Sequence, residues 1–246
     1  MDIDKNSLYS NLVVINSELH KDFKVAPVKD FSFVKDLNFC VVMGEELFDV
    51  ARCYPIVFSQ TVKDGLMPVA MLGVDRNIFV DEQGNWKKDF YIPAFVRRYP
   101  FILVEPEKRE DGDDRLFVAI DGSYKGLNTE DGERLFDENG QNTPVFNEAI
   151  AFLRAYNRSY EVTKEFVKIL EELNLFSGVD ANINLPGGKT YVIKNLLAID
   201  EEKLLTLEDN RLLSLIKGKE ERRGYLGWIY AHILSLRNFD RIASVQ

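Results

Sequence analysis

A Tyr-Pro pair written twice in matching surroundings constrains this chain more than any other feature. Tyr54-Pro55 and Tyr99-Pro100 lie 45 residues apart. Proline disfavours the α region in the residue before it, so each pair ends a helix. Upstream of the first, Glu45 through Cys53 has helical spacing, with Leu47, Phe48, Val50 and Ala51 as the apolar set. Glu45 and Glu46 suit the positive end of that helix's dipole. Upstream of the second, Tyr91 to Arg98 reads as a short helix entered through Ile92-Pro93. Each pair is followed by an apolar strand (Ile56-Val57-Phe58; Phe101-Ile102-Leu103-Val104), a turn at 63–65 or 110–113, and a return strand (Pro68 to Gly73; Leu116 to Ile120). An arginine stands two residues before each tyrosine, Arg52 and Arg97. Self-similarity at this period is read before any motif. Two copies are too few for a solenoid, and they predict a pseudo-symmetric arrangement with both hairpins in one sheet or in two facing sheets.

Around this repeat the signals are weaker. The lead-in over 1–36 holds short apolar groups, Leu12 to Ile15, Phe23 to Val28 and Phe31 to Val34, read as one or two short strands. Between the copies, Asn77 to Val80 can extend the sheet, 82–85 makes a tight turn, and Trp86 follows. A polar connection runs from Asp121 to Asn142, with glycine at 122, 126, 132 and 140. Thr143-Pro144 then reads as an N-cap followed by proline at the first helical position. Apolar positions from Phe146 to Leu173 keep helical spacing, with a kink expected at Asn157-Arg158-Ser159. Ile183 to Leu185 and Thr190 to Ile199 read as a hairpin, followed by helices over 200–204, 208–217 and 224–238. The expected fold is therefore α+β. An N-terminal pseudo-repeat of αββ units forms antiparallel sheet over 1–142, and a mainly helical region over 143–246 carries one β-hairpin near 183–199.

The chain of 246 residues is 46% apolar and 29% charged, enough for a sizeable core. No apolar run approaches the roughly 18 residues that span a bilayer, so no membrane span is expected. Met1-Asp2-Ile3-Asp4-Lys5 lacks the basic and apolar regions of a signal peptide, which makes a cytoplasmic location the default and leaves signal-less export to the surface open. The net charge is −9. Residues 105–140 concentrate it, with 12 acidic and 5 basic side chains. Phosphate repels such a segment, so no nucleic-acid partner is expected, whereas a basic partner or a cation fits it. Cys40 and Cys53, without Cys-x-x-Cys spacing, are expected reduced and buried.

Chemical motifs fail on spacing or context. Gly187-Gly188-Lys189-Thr190 lacks the first glycine of a phosphate loop, since that position is Ile183, and a strand follows it. Residues 137–148 imitate calcium-loop spacing, but the obligatory glycine is Asn142 and Pro144 opens a helix. His20 and His232 are the two histidines, and His232 shares a helical face with Tyr225, Trp228, Ile229 and Leu236, as a core histidine would. No nucleophile elbow of Gly-x-Ser-x-Gly type occurs. The expectation is no metal site, no cofactor and no assignable catalytic residue. Arg97-Arg98 complements the C-terminal end of its helix. It is also a candidate clamp for an anion or carboxylate, with Trp86, Tyr91 and the carboxamides of Asn77 and Asn85 nearby in sequence. The candidate ligand-binding set is Arg97, Arg98, Trp86, Asn77 and Tyr91, and a pocket is expected beside this segment.

Several stretches resemble the SapC family. They are Glu45-Glu46-Leu47 through Tyr54-Pro55-Ile56-Val57-Phe58, Asn77 to Asp81 with Trp86, and Tyr91-Ile92-Pro93-Ala94-Phe95-Val96-Arg97-Arg98-Tyr99-Pro100-Phe101. Leu135-Phe136-Asp137 with Gly140 and Thr143-Pro144 match the family's middle. Ala198 to Leu204 and Ile229 to Leu236 match its end. The resemblance spans roughly 20–240 and departs at the charged tract 217–223. It implies an association with the bacterial cell envelope or surface (S-) layer, from which the family takes its name. It also implies a neighbourhood of outer-membrane receptors, halogenases and oxygenases, and it carries over no catalytic residue. The leading expectation is a non-enzymatic interaction or binding protein linked to envelope assembly or nutrient uptake, with a protein partner or a homodimer face. The rivals are an enzyme or enzyme subunit working with an oxygenase or halogenase, and a small anionic-ligand sensor. A pocket at Arg97 or Trp86 favours the rivals, and an exposed apolar patch or symmetric dimer face favours the interaction protein.

Overall fold

The structure is a computed structural model and describes residues 8–61, 65–106, 116–184, 188, 190–217 and 224–245. Most of the turns expected at 63–65, 110–113 and 186–189, and all but the first residue of the charged tract 217–223, lie outside these residues.

In chain order the elements are β1 (Leu12–Val14), β2 (Lys24–Val25), β3 (Phe39–Val41), α1 (Leu47–Ala51), β4 (Ile56–Thr61), β5 (Gly65–Met71), α2 (Ala94–Arg97), β6 (Phe101–Val104), β7 (Phe117–Asp121), β8 (Leu127–Asn128), β9 (Glu133–Arg134), α3 (Pro144–Glu172), β10 (Phe176–Asn184), β11 (Thr190–Ile199), α4 (Glu201–Leu205), α5 (Asp209–Lys217), α6 (Leu226–Ser235) and α7 (Phe239–Val245). Helices and antiparallel strands are both well represented, so the fold is α+β. The order helix, Tyr-Pro, strand, strand occurs twice, as α1-β4-β5 and α2-β6-β7. The Tyr99–Pro100 peptide is cis.

The two hairpins sit in different sheets. β4 and β5 belong to a five-stranded sheet in the order β10-β11-β4-β5-β3, whereas β6 and β7 form a three-stranded sheet with β1. In the first, Ile56 faces Ala70 and Phe58 faces Pro68. In the second, Phe101 faces Ile120, and β1 joins with Val13 opposite Ile120. The five-stranded sheet draws strands from both sides of residue 142, joined where Leu197 of β11 pairs with Phe58. The main core likewise combines Phe39, Tyr54 and Phe58 with Phe166, Leu196 and Ile229. A smaller core around Ile120, Leu135 and Phe146 lies under the three-stranded sheet.

Several local expectations differ from the structure. Ser32–Val34 is a 3-10 turn. Asn77 to Val80 adds no strand, and Val80 makes an isolated bridge to Trp86 instead. The polar connection contributes β8 and β9, which flank β2 in a third small sheet. Strand β10 begins earlier than expected, at Phe176, and in its second half Ala181 and Ile183 alternate inward while their neighbours face out. Helix α3 runs unbroken for 29 residues, about 44 Å. Its start is the expected one, with Thr143 Oγ1 accepting from the Phe146 N–H at 3.4 Å and proline in the first turn. Both cysteines are free and buried. Among the described residues no helix is long and apolar enough to cross a membrane.

One glycine fixes how the helices close over the sheet. The Gly44 N–H donates to Thr163 Oγ1 on α3 at 2.9 Å, while the Trp228 ring of α6 lies against its α-carbon. A Cβ at Gly44 would stand 2.2 Å from that ring. Gly44→Ala is expected to cost about 2–3 kcal/mol by overpacking, read as a lowered denaturant midpoint at unchanged slope.

Candidate functional site

The second Tyr-Pro joint is built around a buried carboxylate. Helix α2 has only four residues, so its leading N–H groups lack internal partners. Glu46, 6% exposed, supplies one from 48 positions upstream: its Oε2 accepts from the Ala94 N–H at 2.7 Å. Its Oε1 accepts from the Met43 N–H at 2.9 Å, which caps the preceding 3-10 turn. The Tyr91 hydroxyl donates to Glu46 Oε2 at 2.9 Å and accepts from Arg97 Nη2 at 2.7 Å. Burial pushes the Glu46 carboxyl above its ordinary value, against the opposing pull of these donors and of the Arg97 charge. The Tyr91 backbone is held in turn by Cys53, whose Sγ accepts its N–H at 3.4 Å, and by the Tyr54 hydroxyl, which donates to its carbonyl at 2.6 Å. The two Tyr-Pro joints thus touch through Tyr54 and Tyr91.

Arg97 and Arg98 part company. Successive helical residues are turned by about 100°, so neighbours in sequence face different surroundings. Arg97 stays on the surface, its side chain 42% exposed. Its Nε donates to the Ile92 carbonyl at 2.9 Å, its Nη2 lies 4.0 Å from Glu46 Oε2, and its guanidinium centre sits 5.3 Å from both the Tyr91 and Phe152 ring centres. Arg98 is 3% exposed and packs among Phe95, Tyr156 and Tyr9, at 4.5, 5.1 and 5.7 Å from the ring centres. Burial raises the Tyr9 phenol to about 12 although the Arg98 charge pulls it down. That hydroxyl donates to the Phe101 carbonyl at 2.8 Å.

Two hollows adjoin Arg97. The larger, about 590 Å³, is a cleft between the 25–31 segment, Val96–Phe101 and the first turns of α3. Val28, Phe31, Pro100, Phe101 and Phe152 give it an apolar floor, and Arg97, Glu133 and Glu148 stand among its lining. The smaller, about 220 Å³, lies between Met43–Asp49, Tyr91–Arg97 and the Phe152–Ser159 face of α3. Two other hollows of about 510 Å³, along Tyr191–Asn195 and along Glu161–Glu171, show polar and apolar surface in nearly equal measure.

Of the five candidate residues, the structure brings Tyr91, Arg97 and Arg98 together at these hollows. Trp86 stands behind the larger one, packed edge-on against Phe31 with ring centres 5.8 Å apart. Asn77, 1% exposed, braces its own loop: its Oδ1 accepts the Phe79 N–H at 2.9 Å, and its backbone N–H donates to the Lys35 carbonyl at 2.9 Å. Asn85 closes the 81–85 turn, its N–H donating to Asp81 Oδ1 at 2.8 Å. Sequence reasoning missed Glu46, Phe152, Tyr156 and Ser159, which come from other parts of the chain. Among the described residues no three His, Cys, Asp or Glu side chains are grouped to hold a metal ion. His232 is fully buried, and its Nε2 accepts the Ile199 N–H at 3.0 Å.

No curated protein and no solved structure matches this chain. A family model described as SapC matches residues 15–242, nearly the whole length, and it includes both Tyr-Pro joints and the hollows beside them. The chain belongs to the SapC family.

Proposed function

We propose that this SapC-family chain is a binding protein, and that the cleft beside Arg97 takes an apolar, basic segment of a protein partner. A pocket at Arg97 is the feature expected of an enzyme or an anionic-ligand sensor. The exposed carboxylates Glu133 and Glu148 that share this one disfavour an anionic ligand, and its apolar floor is the patch expected of an interaction protein, so the cleft carries the reading. It combines a predominantly apolar floor with carboxylates at Glu133 and Glu148, both exposed, in a chain of net charge −9. Apolar side chains of a partner gain from burial on Phe31, Phe101 and Phe152. A basic group beside them meets Glu133 and Glu148, and Arg97 sets the register by repelling it from the other end. Family membership supports a role in cell-envelope (S-layer) assembly or nutrient uptake.

Ala149 lies on α3 and lines the cleft, so Ala149→Trp fills it from a helix that tolerates the change. With a photo-crosslinker at the half-exposed Val145 position, the wild-type chain is expected to label one predominant protein in its native cells. Ala149→Trp should reduce that label at least about tenfold, equivalent to about 1.4 kcal/mol of binding. Val192→Trp, on the distant hairpin, should leave it unchanged. Equal labelling in all three chains rejects the cleft as the docking site.

A further inference from the structure

The hollow under the β10–β11 hairpin carries a separate chemistry that goes beyond the partner cleft. Among the described residues, β11 pairs with β4 at one position, Leu197 opposite Phe58. Beside that point the register of β10 with β11 shifts between Val179 and Ala181, opposite Asn195, whose φ is 63°. A bulge of this kind bends its strand, so β11 leaves β4 here. Further along the arm the Tyr191 hydroxyl donates to Asp75 Oδ2 at 2.8 Å and ties the hairpin to the segment after β5. Between the arm, β4 and the start of β3 lies a hollow of about 510 Å³, within the range of about 300–1,000 Å³ that small-molecule sites occupy.

Ser59 is the observation that points to a ligand. The Phe58 ring packs near Phe166 of α3 and His232 of α6, which fixes the side of the sheet that the helices cover. Successive strand residues face opposite ways, so Ser59 faces the other side, as Phe39 does on β3, and both line the hollow. Ser59 is 6% exposed, and its Oγ has no hydrogen-bond partner among the described residues. Unlike Ser159 Oγ, it is not sealed from solvent. A hydroxyl so buried and unpaired costs free energy that a hydrogen-bonding ligand recovers. Asn38 stands on the same wall. Its Nδ2 donates to the Val74 carbonyl at 3.0 Å, which leaves its Oδ1 as an acceptor.

Asp75 and Lys194 are the two charged residues of the lining, and their charges cancel. The hollow therefore favours neither sign, although the chain as a whole carries −9. Hydroxyl and carboxamide groups serve a ligand whose own groups both donate and accept. Val74, Tyr191 and Ile193 add apolar surface beside them. A sugar combines these properties, with neutral hydroxyls around its ring and C–H groups on its face. We infer that this hollow binds a neutral mono- or disaccharide. One hydroxyl pairs with Ser59 Oγ, others meet Asn38 Oδ1 and Asp75, and the C–H face lies against Tyr191 and Ile193.

The test is calorimetric titration of the full chain with maltose, cellobiose, lactose and methyl mannoside. Sodium glucuronate, glucosamine hydrochloride and cyclohexanol at equal ionic strength serve as anionic, cationic and apolar counterparts. At least one neutral sugar is expected to bind saturably at one site, and at least about tenfold more tightly than each counterpart, a difference of about 1.4 kcal/mol. Ser59→Ala and the exposed Asp75→Ala should each weaken that sugar about three- to tenfold. Circular dichroism of each variant establishes that it is folded before titration. Absence of saturable binding by all four sugars overturns the inference, as does cyclohexanol binding equally well. Tighter binding of glucuronate or glucosamine overturns it in favour of a site for a charged ligand. Sugar binding unchanged in both variants places it elsewhere and also overturns the assignment. None of these outcomes bears on Ala149→Trp crosslinking, so the two readings fail independently.

Discussion

Lowering the pH from 6.5 to 4.5 is expected to remove about 2–3 kcal/mol of folding stability through one side chain, His232. The imidazole is fully buried on α6, its Nε2 accepting the Ile199 N–H at 3.0 Å and its ring 5.1 Å from that of Phe58. Burial pushes its pKa down to about 3, with the Ile56 backbone pulling weakly the other way. In the unfolded chain the ring takes a proton near pH 6.5, whereas the folded chain refuses it until about pH 3. The stability is therefore intact above pH 6.5. It falls by about 1.4 kcal/mol per pH unit below that value and levels off near pH 3, after a loss of about 5 kcal/mol.

Glu46 acts in the opposite sense. Its raised pKa makes the folded chain the better proton binder above pH 4.5, so acidification through that region adds stability. His232→Gln separates the two effects, because it keeps an acceptor for Ile199 and cannot charge, while Glu46 is common to both chains. Urea denaturation at half-unit pH intervals should show the wild type losing stability relative to His232→Gln between pH 6.5 and 4.5. Parallel curves would mean that the folded ring protonates as readily as the unfolded one.

How much of this was visible in the sequence depends on the range over which each signal acts. The Tyr-Pro joints, the Thr143-Pro144 helix start and the helix-strand-strand order are local, and each appears where the residues place it. Which sheet a hairpin joins is not local. The pairing of Val13 with Ile120 and of Leu197 with Phe58 depends on strands more than 100 residues apart, and neither strand names its partner. Glu46 shows the same limit at the site. Its position suits the start of a helix, and nothing nearby signals that it serves the Ala94 N–H and the Tyr91 hydroxyl.

Ser159 failed for a different reason. Asn157 and Ser159 have weak helix propensity, so the pattern suggested a kink. Packing overrides propensity in a helix this long, and the polar residue marks a hollow instead. The Arg97-Arg98 doublet was legible as a candidate, yet its two members face different surroundings. Their 100° turn could have been drawn from the helix, but the aromatic set that surrounds Arg98 could not, because Tyr9 and Tyr156 lie far from it and from each other in sequence.

Removing the Glu46 carboxylate is expected to be the most damaging single change at the site. Glu46→Ala strands the Met43 and Ala94 N–H groups, both in buried hydrogen bonds, and removes the acceptor of the Tyr91 hydroxyl. Unpairing buried donors costs about 1–3 kcal/mol each before relaxation, which predicts a loss of about 3–5 kcal/mol. Arg97 contributes little to this. Its contact with Glu46 is 4.0 Å and the guanidinium is 42% exposed, so solvent screens the pair, and Arg97→Met should cost less than about 1 kcal/mol. Glu46→Gln should fall between the two, because its amide oxygen keeps one acceptor but its NH2 group faces an N–H that needs an acceptor. Chemical denaturation of the three variants at pH 7 tests the order. If Arg97→Met equals Glu46→Ala, the ion pair rather than the capped N–H groups holds the joint, and the account of α2 as a helix capped from 48 residues away is wrong. If Glu46→Ala costs more than Glu46→Gln and both cost more than Arg97→Met, this carboxylate ties the first Tyr-Pro unit to the second. The shape of both hollows beside Arg97 then depends on it, although it lies in neither the Tyr91–Phe101 stretch nor α3.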